Sequence, residues 1–301
     1  MALTCCLLLT GCVSVTVGAA PSPSAISPSA SVVAPSASPA ASPAASPSAT
    51  ASPASEPPDP ETCSSKLSSY RLDVRRTGNV TAQDERVVAA GLRLAQGHFD
   101  VRVPECEPGA VRVSVLDREN DRFAAGTFVN DVPDFRIDVY AGGSAWQQTP
   151  RSQVPLLMLH EWYHVLQYSF LQCGAPRCTP QDRQVPEWLI EGSAEYAAAQ
   201  AAQDERVIFF SFVRRYELIR ATQVDTPLQR MHQVRTGGDY GLAFAAVELL
   251  VQDAGSGALL DFWEDAGSRG RWEAAFPDAF GTTTARFYRT FAAYRARGFQ
   301  P

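Results

Sequence analysis

Leu156-Leu157-Met158-Leu159-His160-Glu161-Trp162-Tyr163-His164-Val165-Leu166 limits the possible folds more than any other stretch of this chain. It places two histidines and a glutamate in a segment that, wound as a helix, is apolar on nearly every side. A helix that is apolar all round belongs in a core. Ionisable groups carried there are costly unless they are paired or bound to a metal. The fold must therefore surround this helix and bring compensating charge to it. The chain has four histidines, and two of them are here. Residues four apart share a helical face, so His160 and His164 can reach one cation. Glu161 then lies beside the metal, where a carboxylate can take a proton from a water whose pKa zinc has brought down toward neutrality.

A third ligand is expected downstream. Pro186-Glu187-Trp188-Leu189-Ile190-Glu191-Gly192-Ser193-Ala194-Glu195-Tyr196 opens a second helix, with Pro186 suited to its first turn. Glu187, Glu191 and Glu195 are spaced by four and share a face. One carboxylate from that face can complete the two histidines and leave a fourth zinc position for water.

Together, His160-Glu161-x-x-His164 and Trp188-Leu189-Ile190-Glu191-Gly192-Ser193-Ala194-Glu195-Tyr196 resemble the gluzincin metallopeptidases. The second motif is closest in style to the aminopeptidase-type pattern Trp-Leu-x-Glu-Gly-x-Ala and to the small peptidase-MA-like domains. The resemblance implies Zn2+ held by His160, His164 and Glu191, with Glu161 as general base. It also implies that Glu195, one turn after Glu191, orients a ligating histidine. Glu187, at the helix start, is expected to be solvent-exposed or favoured by the helix dipole. Metzincins are excluded, because Gln167 and Phe170 stand where their motif has glycine and histidine. Gly238-Asp239-Tyr240-Gly241-Leu242-Ala243-Phe244 resembles the family segment whose tyrosine stabilises the oxyanion. Tyr240 is the expected donor, with His232 in the preceding loop as the alternative. The resemblance covers roughly Phe135 to the C-terminus. No Gly-rich exopeptidase motif precedes His160; Gly142-Gly143-Ser144-Ala145 is the nearest stretch and differs from it. The segment Phe135–Tyr140 is expected to be the edge strand against which an extended substrate pairs.

The N-terminal part of the chain is of another kind. From about Ala20 to Pro60 it is almost only Ser, Pro and Ala, too poor in core residues to offset the entropy of ordering. Before it, the apolar Leu7-Leu8-Leu9 leads into Leu9-Thr10-Gly11-Cys12, which resembles a bacterial lipoprotein lipobox. That implies a signal peptide over residues 1–12, a lipid on Cys12 and anchorage on the outer face of a bacterial membrane. The plainer alternative is an ordinary cleaved signal peptide with an incidental cysteine. Residues 13–62 are the expected disordered tether, rising ~3 Å per residue where extended. Residues 63–301 are the expected peptidase domain. Export leaves an even set of cysteines, Cys63, Cys106, Cys173 and Cys178. Proximity favours the disulfides Cys173–Cys178 and Cys63–Cys106; the paired knuckles of a four-cysteine zinc site are missing. The formal net charge is -6 with no Lys/Arg-rich run, which argues against a nucleic-acid partner.

Hydrophobic periodicity predicts a helix from about Thr81 to Gly97, then strands Val111–Leu116 and Phe135–Tyr140. Gly126, Asn130, Asp131 and Pro133 between them read as turns. Helices are expected at about Gln153–Leu171, Pro186–Ala202, Glu205–Ile219, Tyr240–Gln252, Leu259–Ala266 and Thr283–Ala296. Strands first and helices afterwards make an α+β fold: a small mixed lobe, then a mainly helical lobe that the resemblance makes thermolysin-like. The expected partner is a peptide or protein substrate. Two other functions use the same residues: a tethered scaffold retaining a structural zinc site, and a zinc amidase acting on cell-wall material.

Overall fold

The computed structural model describes residues 64–105, 108–120, 124–131, 134–171 and 185–300. The expected signal peptide with Cys12, the tether, and Cys63, Cys106, Cys173 and Cys178 all lie outside the described residues.

The chain is mixed α+β, with a small sheet region followed by helices. In order, the elements are β1 (Ser65–Lys66), β2 (Arg71–Arg76), α1 (Ala82–His98), β3 (Arg102–Val103), β4 (Ala110–Leu116), β5 (Ala125–Asp131) and β6 (Asp134–Tyr140). Then come α2 (Ser144–Gln148), α3 (Val154–Leu171), α4 (Glu187–Asp204), α5 (Phe210–Ala221), α6 (Gly237–Ala254), α7 (Ala258–Arg269), α8 (Trp272–Phe280) and α9 (Thr284–Ala296). The main sheet runs β2-β4-β6-β5, with β2, β4 and β6 parallel and β5 antiparallel at one edge. β1 and β3 form a separate antiparallel pair.

Local chemistry accounts for much of this. Thr81 caps α1 by accepting a hydrogen bond from the Asp84 N–H. Val111, Val113 and Val115 alternate into the core along β4, and Phe135, Ile137 and Val139 do the same along β6. α6 begins three residues before its expected start because Thr236 and Asp239 form a reciprocal capping box. α5 begins five residues late. The chain first reverses after α4 through Arg206, which has a left-handed φ of 58°. Two helices, α2 and α8, were not expected from the pattern; both are short, and α8 contains Pro277.

Two expectations about the sheet are corrected. The segment read as turns is strand β5, in which Gly126 pairs with Asp138 and Thr127 with Ile137. Its turn-type residues are tolerated because an edge strand has only one neighbour, and the register shifts between Val129 and Asp131, leaving Asn130 in the irregularity. It follows that Phe135–Tyr140 is not the edge strand: β6 lies between β4 and β5, and β5 is the edge.

α3 is the centre of the molecule. It packs on α1, α4, α7 and β5. Fully buried Leu159, Trp162 and Val165 make it a core helix, each side chain contributing roughly 1.5–3 kcal/mol of burial. Close approach is secured by small residues. A Cβ at Gly192, directly after Glu191, would lie 2.4 Å from the Ala243 carbonyl, so only glycine lets α4 lie this close to α6. Among the described residues no single helix is long and apolar enough to cross a membrane.

Candidate metal centre

His160 and His164 point from one face of α3 toward Glu191 on α4. The two Nε2 atoms are 3.0 Å apart, and Glu191 Oε2 lies 3.3 Å from the first and 3.5 Å from the second. These three atoms form the group among the described residues that can hold a metal ion. The spacing fits that role: a tetrahedral divalent ion bonded at about 2.1 Å separates its ligands by roughly 3.4 Å. So does the chemistry. Two imidazole nitrogens and a carboxylate oxygen are a donor set for a borderline first-row ion. Two buried nitrogens facing each other at 3.0 Å are otherwise a poor arrangement, in which one at most can donate. Electrostatics of the ion-free cluster agree. Burial would raise the Glu191 pKa, but His164 and His160 overcome it and hold the carboxylate far below its ordinary range. Burial lowers the His160 pKa, yet Glu191, Glu195 and Glu161 push it up to about 9.

Glu161 is buried beside the triad and is not one of its members. Thr127 on β5 meets it twice: its hydroxyl lies 2.7 Å from Glu161 Oε2 and 3.0 Å from the Glu161 carbonyl. Burial raises the Glu161 pKa, opposed by the two histidines and by Thr127. A carboxylate so placed is a stronger base than one in water.

Tyr240, in the first turn of α6, sets its ring 6.2 Å from that of His160. Burial, followed by the charges of Glu191, Glu195 and Glu161, drives its pKa well up, so the phenol keeps its proton. Tyr168 stacks on the other histidine, its ring 5.7 Å from His164 and nearly parallel. Glu195 is buried with Oε1 3.9 Å from His160 Nδ1, a through-space contact rather than a hydrogen bond. His160 Nδ1 has no hydrogen-bond partner among the described residues.

A cleft of about 600 Å3 opens along α4 and reaches Glu191. Tyr168, Glu187, Trp188, Met231 and His232 line it. Glu187, expected on the exposed helix surface, is half-buried in this wall, and His232 is exposed at it.

Five participants escaped the sequence reading. Thr127 sat in a segment taken for turns. Gln167 and Ser193 join α3 to α4 by buried hydrogen bonds. Glu217 and Arg220 form a buried ion pair of 2.8 Å on α5, and the Arg220 charge acts on Glu195. A Cβ at Gly237 would lie 2.4 Å from the Arg220 guanidinium, so glycine there leaves the space that Arg220 fills.

No family model matches this chain, and no characterised protein sequence matches it significantly.

Proposed function

We propose that this protein is a zinc-dependent peptidase of the gluzincin type, tethered outside the cell through Cys12. The reading is carried by one observation: a metal-capable His160–His164–Glu191 triad with a buried carboxylate, Glu161, beside it and joined to the antiparallel edge strand β5 through Thr127. His160, His164 and Glu191 would hold the zinc, which supplies Lewis acidity toward both water and a substrate carbonyl. Glu161 takes the proton of the attacking water and returns it to the leaving amine. Tyr240, kept neutral by its buried and anionic surroundings, donates its O–H to the developing oxyanion. β5, the end strand of the sheet, offers its outer edge to an extended peptide, the role assigned from sequence to β6. Thr127 ties that edge to the base, so substrate and proton acceptor are positioned by the same strand. A purely structural metal site has no use for Glu161. In this reading the helical lobe is thermolysin-like.

Metal analysis of the purified protein beside His164→Ala tests the reading. About one zinc per chain, lost in the variant, is expected, together with hydrolysis of a quenched peptide library. No zinc in either protein after reconstitution would overturn it. Zinc with hydrolysis of cell-wall amides and not of peptides would move the protein to the amidase alternative.

A further inference from the structure

Gln167 is a buried polar side chain between the two helices that carry the metal ligands. Its hydrogen bonds leave little freedom of assignment. On one side, Gln167 Nε2 is 2.9 Å from the Ile190 carbonyl oxygen and 2.8 Å from Ser193 Oγ. A backbone carbonyl only accepts, so the amide nitrogen must face it. Ser193 agrees, because its own hydroxyl donates to the Leu189 carbonyl at 2.6 Å and its lone pair is open to Gln167. The amide oxygen is thereby turned to the other side, 2.7 Å from His164 Nδ1. An amide oxygen also only accepts, so Nδ1 is the nitrogen that carries the proton. His164 Nε2 is left with a bare lone pair, directed at the site where a metal needs it. Flipping the amide would set two acceptors against each other at Ile190 and move the imidazole proton to Nε2, which blocks ligation.

We propose that Gln167 is a positioning residue for the metal centre: it locks His164 in the Nδ1–H tautomer and uses the α4 backbone around Glu191 as its reference. Its two donor contacts fall on Ile190 and Ser193, the residue before Glu191 and the second after it. One amide therefore sets the tautomer of the second ligand and the seating of the third. Among the described residues the His160 side has no equivalent, since His160 Nδ1 makes no hydrogen bond there and Glu195 lies at 3.9 Å. The inference rests on the metal reading but not on peptide hydrolysis.

Two readouts test it, neither of them enzymatic. In the metal-free full chain, long-range 1H–15N spectra of the imidazoles are expected to show His164 as the Nδ1–H tautomer. An Nε2–H tautomer in the wild type overturns the proposal, whether or not any variant folds. Zinc affinity is then measured by chelator competition with zinc alone, for wild type, Gln167→Leu and Gln167→Glu. Loss of such an outer contact weakens metal binding by roughly 10- to 100-fold, which is expected for Gln167→Leu. Gln167→Glu keeps an acceptor for His164 and is expected to recover the Nδ1–H tautomer although it loses the donor to Ile190. A general packing defect would not restore that spectral signature. Gln167→Leu with wild-type zinc affinity overturns the proposal. A wild type that binds no zinc overturns the metal reading instead, and the tautomer measurement still decides what Gln167 does.

Discussion

Two glutamates, buried Glu105 in the sheet region and partly exposed Glu191 in the helical region, show how the two parts of this molecule handle the same side chain. Glu105, after β3, is buried against Tyr70, whose hydroxyl donates to its Oε2. Burial dominates and pushes its pKa up to about 7, with the Tyr70 and Ser169 hydrogen bonds opposing. Glu191 faces two histidines, and the same burial is overcome, so it is held ionised. The first carboxyl is part of the packing and tolerates a proton. The second is held as an anion by the two histidines it faces. Burial alone therefore does not mark a functional carboxylate; the sign of the charge around it does.

Removing the anion should produce the largest effect. Glu191→Gln is expected to lose bound zinc and all detectable peptide hydrolysis, read by metal analysis and a fluorogenic peptide assay. Zinc retained at wild-type stoichiometry would break the contrast, since Glu191 would then be no more necessary than Glu105. Glu161→Gln should keep the metal and lose activity by about 10²- to 10⁴-fold, the span ascribed to a general base.

Next in size is the ion pair that neighbours the centre. Arg220→Met leaves Glu217 and Glu195 buried without their cation, and loss of one partner of a buried pair costs about 3–5 kcal/mol. Urea unfolding measures this. A loss under about 1 kcal/mol would mean that Glu217, whose pKa burial already raises, simply takes up a proton as Glu105 does.

The sheet region predicts a pH profile. Glu105 has a folded pKa raised from its ordinary 4.5 to about 7, so its proton is bound more tightly in the folded state. Its contribution is complete below about pH 4.5, falls as pH rises to about 7 and is level above that. The change is about 3 kcal/mol across that window. Glu105→Gln should flatten this part of the profile and leave the protein more stable than wild type at pH 8, as followed by melting temperature. The smallest effect belongs to Glu195→Gln. Because Glu195 touches His160 only through space at 3.9 Å, zinc affinity should fall by a few-fold, or about 1 kcal/mol. A fall as large as that of Gln167→Leu would remove the asymmetry between the two histidines.

Local patterns carried a large part of this architecture. The spacing of His160 and His164, the Thr81 cap, the extents of α3, α4 and α9, and the alternation along β4 and β6 are set by neighbours within a few residues. They were legible because helical and extended periodicities are short. That Glu191 would meet the histidines came from a resemblance, and the approach of α4 to α3 is what brings it within 3.5 Å.

The remainder was decided only in three dimensions. β5 looks like turns because Gly126, Asn130 and Asp131 weigh against a strand, yet pairing with β6 outweighs them. Which strand becomes the edge depends on β2 and β4 occupying the far side of β6, which no local window contains. Gln167 looks like any polar residue at the end of a helix. Its meaning comes from an acceptor carbonyl on another helix, at residue 190. Hydrogen-bond direction and burial are properties of what approaches from elsewhere in the chain. The amino-acid sequence alone determined the residue types of the candidate site and their helical spacing, and the tertiary structure decided which hydrogen bonds and charges surround them.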